Sequence, residues 1–183
     1  MKLVSINEAV KRRWLAKDHY LLGYLPSTIQ TFIEKTRLPA TLCALDLGKM
    51  KTGIAVSLAI HSTAIPIGTF PTIQLQTQLC QLNQRIGPIK GLVIGFPLAL
   101  NGAVEANAMK RTLDAISTFT NFITENQTPI WFHDERYTSI HSKMQIKKQF
   151  NTKRTVDDFS ATCILQEFLE IAQSHLSQGS ADD

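Results

Sequence analysis

The sequence has few cysteines, and they lie far apart. Cys43, Cys80 and Cys163 are the three cysteines of the 183-residue chain, and no CxxC pair occurs. An odd number of widely spaced cysteines in apolar surroundings argues against a disulfide framework and against a cysteine-based zinc site. We therefore expect buried thiols in a reducing compartment.

The sequence also lacks an apolar run long enough to cross a membrane. The charged residues near the N-terminus are not followed by an uninterrupted apolar segment, which argues against a secretory signal. Hydrophobic residues make up 44% of the chain and charged residues 19%. This balance is typical of a globular domain with a sizeable core, and not of a disordered chain.

The net charge of +4 is unevenly placed. Residues 1–38 carry seven of the 19 basic residues and three of the 15 acidic ones, so the excess lies in this segment and the remainder has 12 of each sign. We expect 1–38 to be an extension of one or two short helices broken near Gly23 and Pro26, packed on the domain or serving as a partner-binding arm. Its basicity is a weak indication of contact with a polyanion. We expect the main domain at 39–176 and a disordered tail at 177–183.

The segment from Thr41 to Ser57 predicts a β-hairpin. Two apolar runs flank a turn at Gly48–Lys51. The first run is apolar almost throughout, as in a central strand buried on both faces, and it ends in Asp46. A carboxylate there is costly without a cation or donors, although a turn aspartate bonding its own backbone is an equally common arrangement.

The remainder of the chain alternates between strand and helix patterns. Strands are predicted at 63–70, 91–95 and 129–133, and helices at 73–86, 109–126, from Thr138 to Gln149, and from Thr155 to His175. The order after the extension is βββαβαβαα. Three meander strands followed by helical crossovers imply an α/β fold with a mixed five-stranded sheet flanked by helices. Sites in such sheets gather at the carboxyl ends of the strands.

Acidic residues follow the strands that we expect to be parallel neighbours. Asp46 ends the first, Asp134 and Glu135 follow the last, and Asp157 and Asp158 open the final helix. Three carboxylates from separate segments form a hard-oxygen site suited to Mg²⁺ or Mn²⁺, and two such ions can promote phosphodiester cleavage. Asp158 is also explained by a capping box with Thr155, and Asp134 by a turn or a pair with the following arginine. We therefore rank Asp46, Glu135 and Asp157 as metal ligands.

Basic residues lie around the predicted acidic site. One group surrounds the link between the last two helices, and it suits a phosphate backbone as well as it suits an ordinary solvated helix end. The residues that we assign to nucleic-acid binding are Lys49, Lys51, Arg136, Lys147, Lys148, Lys153 and Arg154. His133 and His141 flank the Asp-Glu pair, but a lone histidine is more often structural, so neither is assigned to the site.

Four segments resemble a known family. They are 44–48 (ALDLG) with 53–57 (GIAVS), 93–98 (VIGFPL) with 101–102 (NG), 134–138 (DERYT), and 156–157 (VD) with 164–166 (ILQ). In order and spacing they resemble the YqgF family, also called RuvX, whose members are described as pre-16S rRNA nucleases or Holliday-junction resolvase homologues. The resemblance covers residues 41–172. It implies an RNase H-like fold and a cytoplasmic, metal-dependent nuclease linked to rRNA maturation, with the acidic positions at Asp46, Glu135 and Asp157.

The sequence departs from the family pattern at several positions. Lys49, Met50 and Lys51 stand where Thr-Lys-Arg is usual, Leu58 replaces an aspartate, and His141 replaces an acid. The extension at 1–38 is not typical either. The three core acids are present, so the departures concern the grip on substrate and its specificity more than metal binding.

Three functions compete. The first is a nuclease, acting on pre-rRNA or on a branched DNA as a resolvase, in monomeric or homodimeric form. The second is a nucleic-acid-binding protein of the same fold that does not cut, which would not need all three acids. The third is an ATPase of the actin and sugar-kinase type, because residues 46–56 resemble the first phosphate loop of that group. The chain is too short for the duplicated domain of that group, and Gly53 is not followed by the Lys-Ser/Thr of a Walker loop.

Overall fold

The fold is described from a computed structural model. The described residues are 6–15, 21–37, 40–58, 63–99, 101, 103–135 and 159–179. Within these ranges the helices are α1 (Ile6–Leu15), α2 (Ile29–Thr36), α3 (Leu75–Ile86), α4 (Ala106–Ser117), α5 (Thr120–Asn126) and α6 (Ser160–Gly179). The strands are β1 (Thr41–Leu47), β2 (Lys51–Ser57), β3 (Ile65–Pro71), β4 (Ile89–Phe96) and β5 (Ile130–Asp134). No helix in these ranges is long and apolar enough to cross a membrane.

The five strands form one mixed sheet in the order β3-β2-β1-β4-β5. The β1–β2 and β2–β3 pairs are antiparallel, whereas β1–β4 and β4–β5 are parallel. The predicted hairpin, meander and parallel strands are confirmed. β1 is central, as its continuous apolar run indicates, and Leu42, Cys43, Ala44 and Leu45 are buried.

Helices cover both faces of the sheet. On the first face, α1, α3, α4 and α5 bury side chains against alternate strand residues that include Cys43, Ile54, Ile94 and Phe132. On the second face, α2 and α6 pack against Ala44, Ala55 and Val93. Small residues on the sheet allow α6 to lie close to it. The edge-on ring contact between Phe32 of α2 and Phe168 of α6, with centroids 5.4 Å apart, joins these two helices.

The segment predicted as one helix over 109–126 contains two helices, so that prediction is wrong. Thr118 and Phe119 separate α4 from α5, and the Thr118 hydroxyl donates to the carbonyl oxygen of Thr72 at 3.0 Å. Phe119 is nonetheless fully buried. The apolar periodicity therefore continues across the break and does not reveal it.

The last helix extends further than predicted. α6 ends at Gly179, whereas we expected its end at His175 and a disordered tail over 177–183. Its predicted start at Thr155 and the predicted helix from Thr138 to Gln149 lie outside the described residues.

The N-terminal extension packs on the domain through a buried asparagine. Asn7 Nδ2 donates to the carbonyl oxygens of Pro26 and Ile130 at 2.8 and 2.9 Å, and Asn7 Oδ1 accepts from the Phe132 amide at 2.8 Å. β5 is an edge strand, so these bonds occupy backbone groups that would otherwise face solvent or another chain. Of the two interpretations of 1–38, the described part shows helices packed on the domain.

Candidate active site

Asp46 lies near the carboxyl end of the central strand, on the face covered by α6. It pairs with Gly53 across the hairpin. A Cβ added at Gly53 would lie 3.6 Å from the Asp46 Cβ and 3.5 Å from the Ala161 Cβ. The first residues of α6 therefore pass directly over the strand at the level of Asp46.

Glu135 follows β5 directly and reaches back over β4. Its carboxylate lies in the space that a Cβ at Gly95 would fill, and Ile164 of α6 borders the same space. Gly95 itself pairs with His133. A residue with a side chain at this position would displace the Glu135 carboxylate, so glycine at 95 provides the room for it.

The strand register brings the two acids together. Leu45 pairs with Ile94, and the same parallel register places Asp46 level with Gly95. Neighbouring strands are about 4.8 Å apart. The Glu135 carboxylate above Gly95 and the Asp46 side chain therefore share one edge and one face of the sheet.

The other predicted acids, Asp134, Asp157 and Asp158, are not placed beside Asp46 by the described residues. Asp134 is the last residue of β5, and strand alternation directs it to the same face as Phe132, away from Glu135. This favours Glu135 over Asp134 as the partner of Asp46. Asp157 and Asp158 lie outside the described residues. Within the described ranges, three His, Cys, Asp or Glu side chains do not meet in one metal cluster.

The predicted basic residues are only partly described. Lys49 and Lys51 are exposed at the β1–β2 turn, next to the edge that holds Asp46. Five further predicted residues, together with His141, lie outside the described residues: Arg136, Lys147, Lys148, Lys153 and Arg154. Leu58 is at the opposite end of β2, so this departure from the family pattern is remote from Asp46.

A cleft of about 640 Å³ adjoins Glu135. The β1–β2 turn forms one wall, α4 forms another, and Gly95 and Glu135 lie between them. Arg111 of α4 lines it together with Lys49 of the turn, and sequence reasoning missed this arginine. The one sequence feature that pointed to Arg111 was its place on α4, the helix that follows β4, because the carboxyl end of β4 lies at the same sheet edge as Asp46.

Thr72 fastens the β1–β2 turn to this cleft. Its hydroxyl donates to the Gly48 carbonyl oxygen at 2.9 Å and is hydrogen-bonded to the Thr52 hydroxyl at 3.0 Å. The Thr72 amide donates to the Met50 carbonyl oxygen at 3.0 Å. With the bond from Thr118, these contacts hold the turn against the junction between α4 and α5.

Comparisons with known proteins identify the family. A family model described as "RuvX: Holliday junction resolvase" matches residues 40–171. The chain belongs to the RuvX family. A relative from Phocaeicola vulgatus named "Putative pre-16S rRNA nuclease" is 30% identical over 135 residues, covering 70% of this chain and 94% of the relative. One from Bacteroides thetaiotaomicron with the same name is 31% identical over 135 residues, with 70% and 95% covered.

Solved structures agree on the fold of this RuvX chain. Thermus thermophilus RuvC aligns with a TM-score of 0.52 at 9% identity, covering 75% of this chain and 96% of RuvC. The RNase H-like fold predicted from the resemblance is confirmed. The predicted class of enzyme, a nuclease and hence a hydrolase of phosphodiester bonds, agrees with the family description and with the relatives' names.

Two ionisable residues on the strands of this RuvX domain, His133 and Cys43, are buried and are not assigned to the site. The His133 Nε2 lies 3.1 Å from Glu167 Oε2 of α6, and the ring is largely buried. Burial raises the pKa of the Cys43 thiol well above its usual range, so it remains a neutral thiol. Cys43 and Cys163 are buried and Cys80 is half-buried, and all three are in the thiol form.

The donor chemistry fits a divalent metal. Two carboxylates on one sheet edge supply hard oxygen ligands of the kind that Mg²⁺ and Mn²⁺ take. Gly95 keeps the space for the Glu135 carboxylate clear. Crowded carboxylates repel each other, so a cation between them would lower the free energy of the arrangement.

Proposed function

We propose that this protein is a divalent-metal-dependent endonuclease that cleaves structured nucleic acid in the cytoplasm, with 5′-end maturation of pre-16S rRNA as its reaction. The observation that carries the proposal is the Glu135 carboxylate above Gly95, beside Asp46. A protein that only bound nucleic acid would have no need to gather carboxylates, because they repel phosphate.

Three residues are proposed to hold the metal and to be the catalytic group. Asp46 lies on β1 and Glu135 follows β5, with β4 between these two strands, and Asp157 would supply a third carboxylate. Asp157 is two residues from Phe159, and two extended residues span at most about 7 Å. Phe159 is buried beside the start of α6, which passes over Asp46. Two bound ions would activate a water molecule and stabilise the leaving oxygen.

The basic residues are proposed to hold the phosphate backbone. Lys49 and Arg111 both line the cleft that contains Glu135. Among the described residues, neither is engaged in an ion pair. Cations of this kind position the strand without reading its sequence. The further residues proposed for this role are Lys51, Arg136, Lys147, Lys148, Lys153 and Arg154.

Pre-rRNA is preferred over a DNA junction as the substrate. The two relatives at 30% and 31% identity are both named as pre-16S rRNA nucleases, and this chain matches nearly the whole length of each. The family description supports the second candidate, a Holliday junction resolvase. Resolution of a two-fold symmetric junction calls for two active sites, and hence for a homodimer, whereas RNA cleavage can be performed by a monomer.

The deciding experiment is cleavage of a labelled pre-16S rRNA fragment and of a four-way DNA junction with Mn²⁺ or Mg²⁺. Wild type is compared with Asp46→Asn and Glu135→Gln, and with Glu125→Gln as a control because Glu125 is exposed on α5. RNA cleavage that is lost in both site variants and kept in the control supports the proposal. Paired junction cuts with the same dependence select the resolvase.

A third arm tests metal binding apart from cutting. A ligand that binds only the folded state raises its free energy of unfolding, by about 2.7 kcal/mol at a hundredfold excess over Kd. Mn²⁺ should therefore raise the Tm of wild type and of Glu125→Gln, and the rise should vanish in Asp46→Asn. Binding of RNA without cleavage by wild type would select the non-cutting protein, and a Tm rise with ATP alone would select the ATPase.

A further inference from the structure

The two most exposed large apolar side chains of the described residues lie in one place. Met50 is 73% exposed and Ile73 is 79% exposed. Both line the cleft that contains Glu135, and the hydrogen bond from the Thr72 amide to the Met50 carbonyl oxygen holds their backbones side by side. Exposed apolar side chains that lie next to each other are a feature of ligand-binding grooves, whereas exposed apolar residues scattered singly over a surface need no explanation.

Two basic residues also line this cleft. Lys49 precedes Met50 in the turn, and Arg111 stands on α4. Asp114 also lines the α4 wall, one turn from Arg111, and in the described part of the chain no ion pair joins the two. The cleft therefore offers apolar contact and cations to one ligand, within reach of the Glu135 carboxylate.

We propose that this cleft binds an unpaired nucleotide of the substrate, with its base against Met50 and Ile73 and its phosphate between Lys49 and Arg111. This inference rests on the nuclease function proposed above and adds a substrate class to it. The substrate is a nucleic acid with a single-stranded segment next to the bond that is cut.

The chemistry favours an unstacked base over a duplex. In a duplex, each base is stacked on both faces, and the duplex presents only its phosphates and the base edges in its grooves to the protein. Met50 and Ile73 would then gain nothing from the contact. A splayed base has two apolar faces that can cover these side chains, and such contact tolerates any sequence. The volume of about 640 Å³ lies in the range of small-ligand pockets and accommodates one nucleotide.

The cleft walls are fixed before the ligand arrives. The Thr72 hydroxyl holds the Gly48 carbonyl, and an added Cβ at Gly48 would meet the Lys51 carbonyl oxygen, so the turn is tight. Because the walls are already ordered, binding loses less conformational entropy, so that a weak apolar contact contributes more of its free energy to the affinity.

The test compares three RNAs: a hairpin with a three-nucleotide single-stranded 5′ extension, the same RNA with abasic extension nucleotides, and a blunt hairpin. Binding is measured by fluorescence anisotropy at fixed salt without divalent metal. The variants are Met50→Gln and Ile73→Gln, alone and together. Ile171→Gln is the matched control, because Ile171 is exposed on α6 and does not line the cleft.

Wild type should bind the extended RNA about tenfold more tightly than the abasic RNA, as burial of one base face implies. The double variant should bring that ratio close to one, and Ile171→Gln should leave it unchanged. Equal binding of the extended and abasic RNAs by wild type would overturn the inference, as would a double variant with the wild-type ratio. A large fall in the Tm of both single variants would also overturn it, because another part of the chain would then cover these side chains.

The outcomes separate the two proposals. If binding depends on the base and is abolished by Met50→Gln and Ile73→Gln, but the protein never cleaves, the nucleotide-binding cleft is supported and the nuclease function is contradicted. Cleavage that is insensitive to the base and to both variants would sustain the nuclease and remove the cleft.

Discussion

The carboxylate of Glu135 lies in the space over Gly95 that any side chain would fill. Glycine 95 thus acts by leaving room for a neighbour from the next strand. The relationship ties the candidate active site to the β4–β5 register, in which Gly95 pairs with His133 two residues before Glu135.

Gly95→Ala should abolish cleavage while the fold survives. The added methyl group would displace the Glu135 carboxylate and press on the flexible end of Ile164. A misplaced metal ligand costs far more in rate than in stability, so we expect a loss of about 100-fold or more in kcat. Cleavage rate and Tm should be measured together.

Gly53→Ala is the matched control for that prediction. A Cβ there would make ordinary contacts of 3.5 to 3.9 Å with Ala161 and Asp46. It should keep most of the activity. Equal activity in Gly95→Ala and wild type would show that the position of Glu135 does not matter for cleavage.

Asn7→Ala should destabilise the domain by about 3 kcal/mol, because it removes three buried hydrogen bonds and leaves the Phe132 amide and the Ile130 carbonyl without this partner. Urea denaturation gives the free energy of unfolding. Asn121→Ala, at an exposed position of α5, should change it by less than about 0.5 kcal/mol. Equal values for the two variants would mean that the extension does not stabilise the β5 edge.

Thr72→Val should loosen the β1–β2 turn. The change keeps the shape of the side chain but removes its bonds to the Gly48 carbonyl oxygen and the Thr52 hydroxyl. We expect a loss of about 1 to 2 kcal/mol in stability and weaker substrate binding, seen as a higher KM. Thr72→Ser retains the hydroxyl and should restore both. If Ser behaves like Val, the methyl group and not the hydroxyl fixes the turn.

The thiols should differ in reactivity. Burial raises the pKa of Cys43 and shields it, so its reactive thiolate form is scarce in the native protein. Cys163 is buried as well, whereas Cys80 is half-buried on α3. A thiol reagent at pH 8 should titrate one cysteine rapidly in the native protein and three in denaturant. Cys80→Ser should remove the rapid phase, and rapid labelling of Cys43 would contradict the buried site.

Much of the fold followed from the order of the residues alone. The continuous apolar run of β1 and the stripe of Leu75, Leu79 and Leu82 on α3 are local patterns, and each has one geometry that buries it. Asp46 at the end of a buried strand was also readable, because a carboxylate there is costly without a partner. Local patterns of this kind allowed a ranking of the acidic residues, and that ranking stays a prediction.

Only the tertiary structure decided the contacts between distant segments. Glu135 over Gly95, Arg111 in one cleft with Lys49, and Asn7 against β5 each bring together residues far apart in the chain, and no periodicity encodes them. The break between α4 and α5 was hidden for a related reason, since a buried Phe119 fits the apolar stripe of one long helix as well as it fits two short ones. Local sequence determines which face of an element is apolar. Strand register and helix placement depend on the packing of all elements at once, and they decide which polar groups meet.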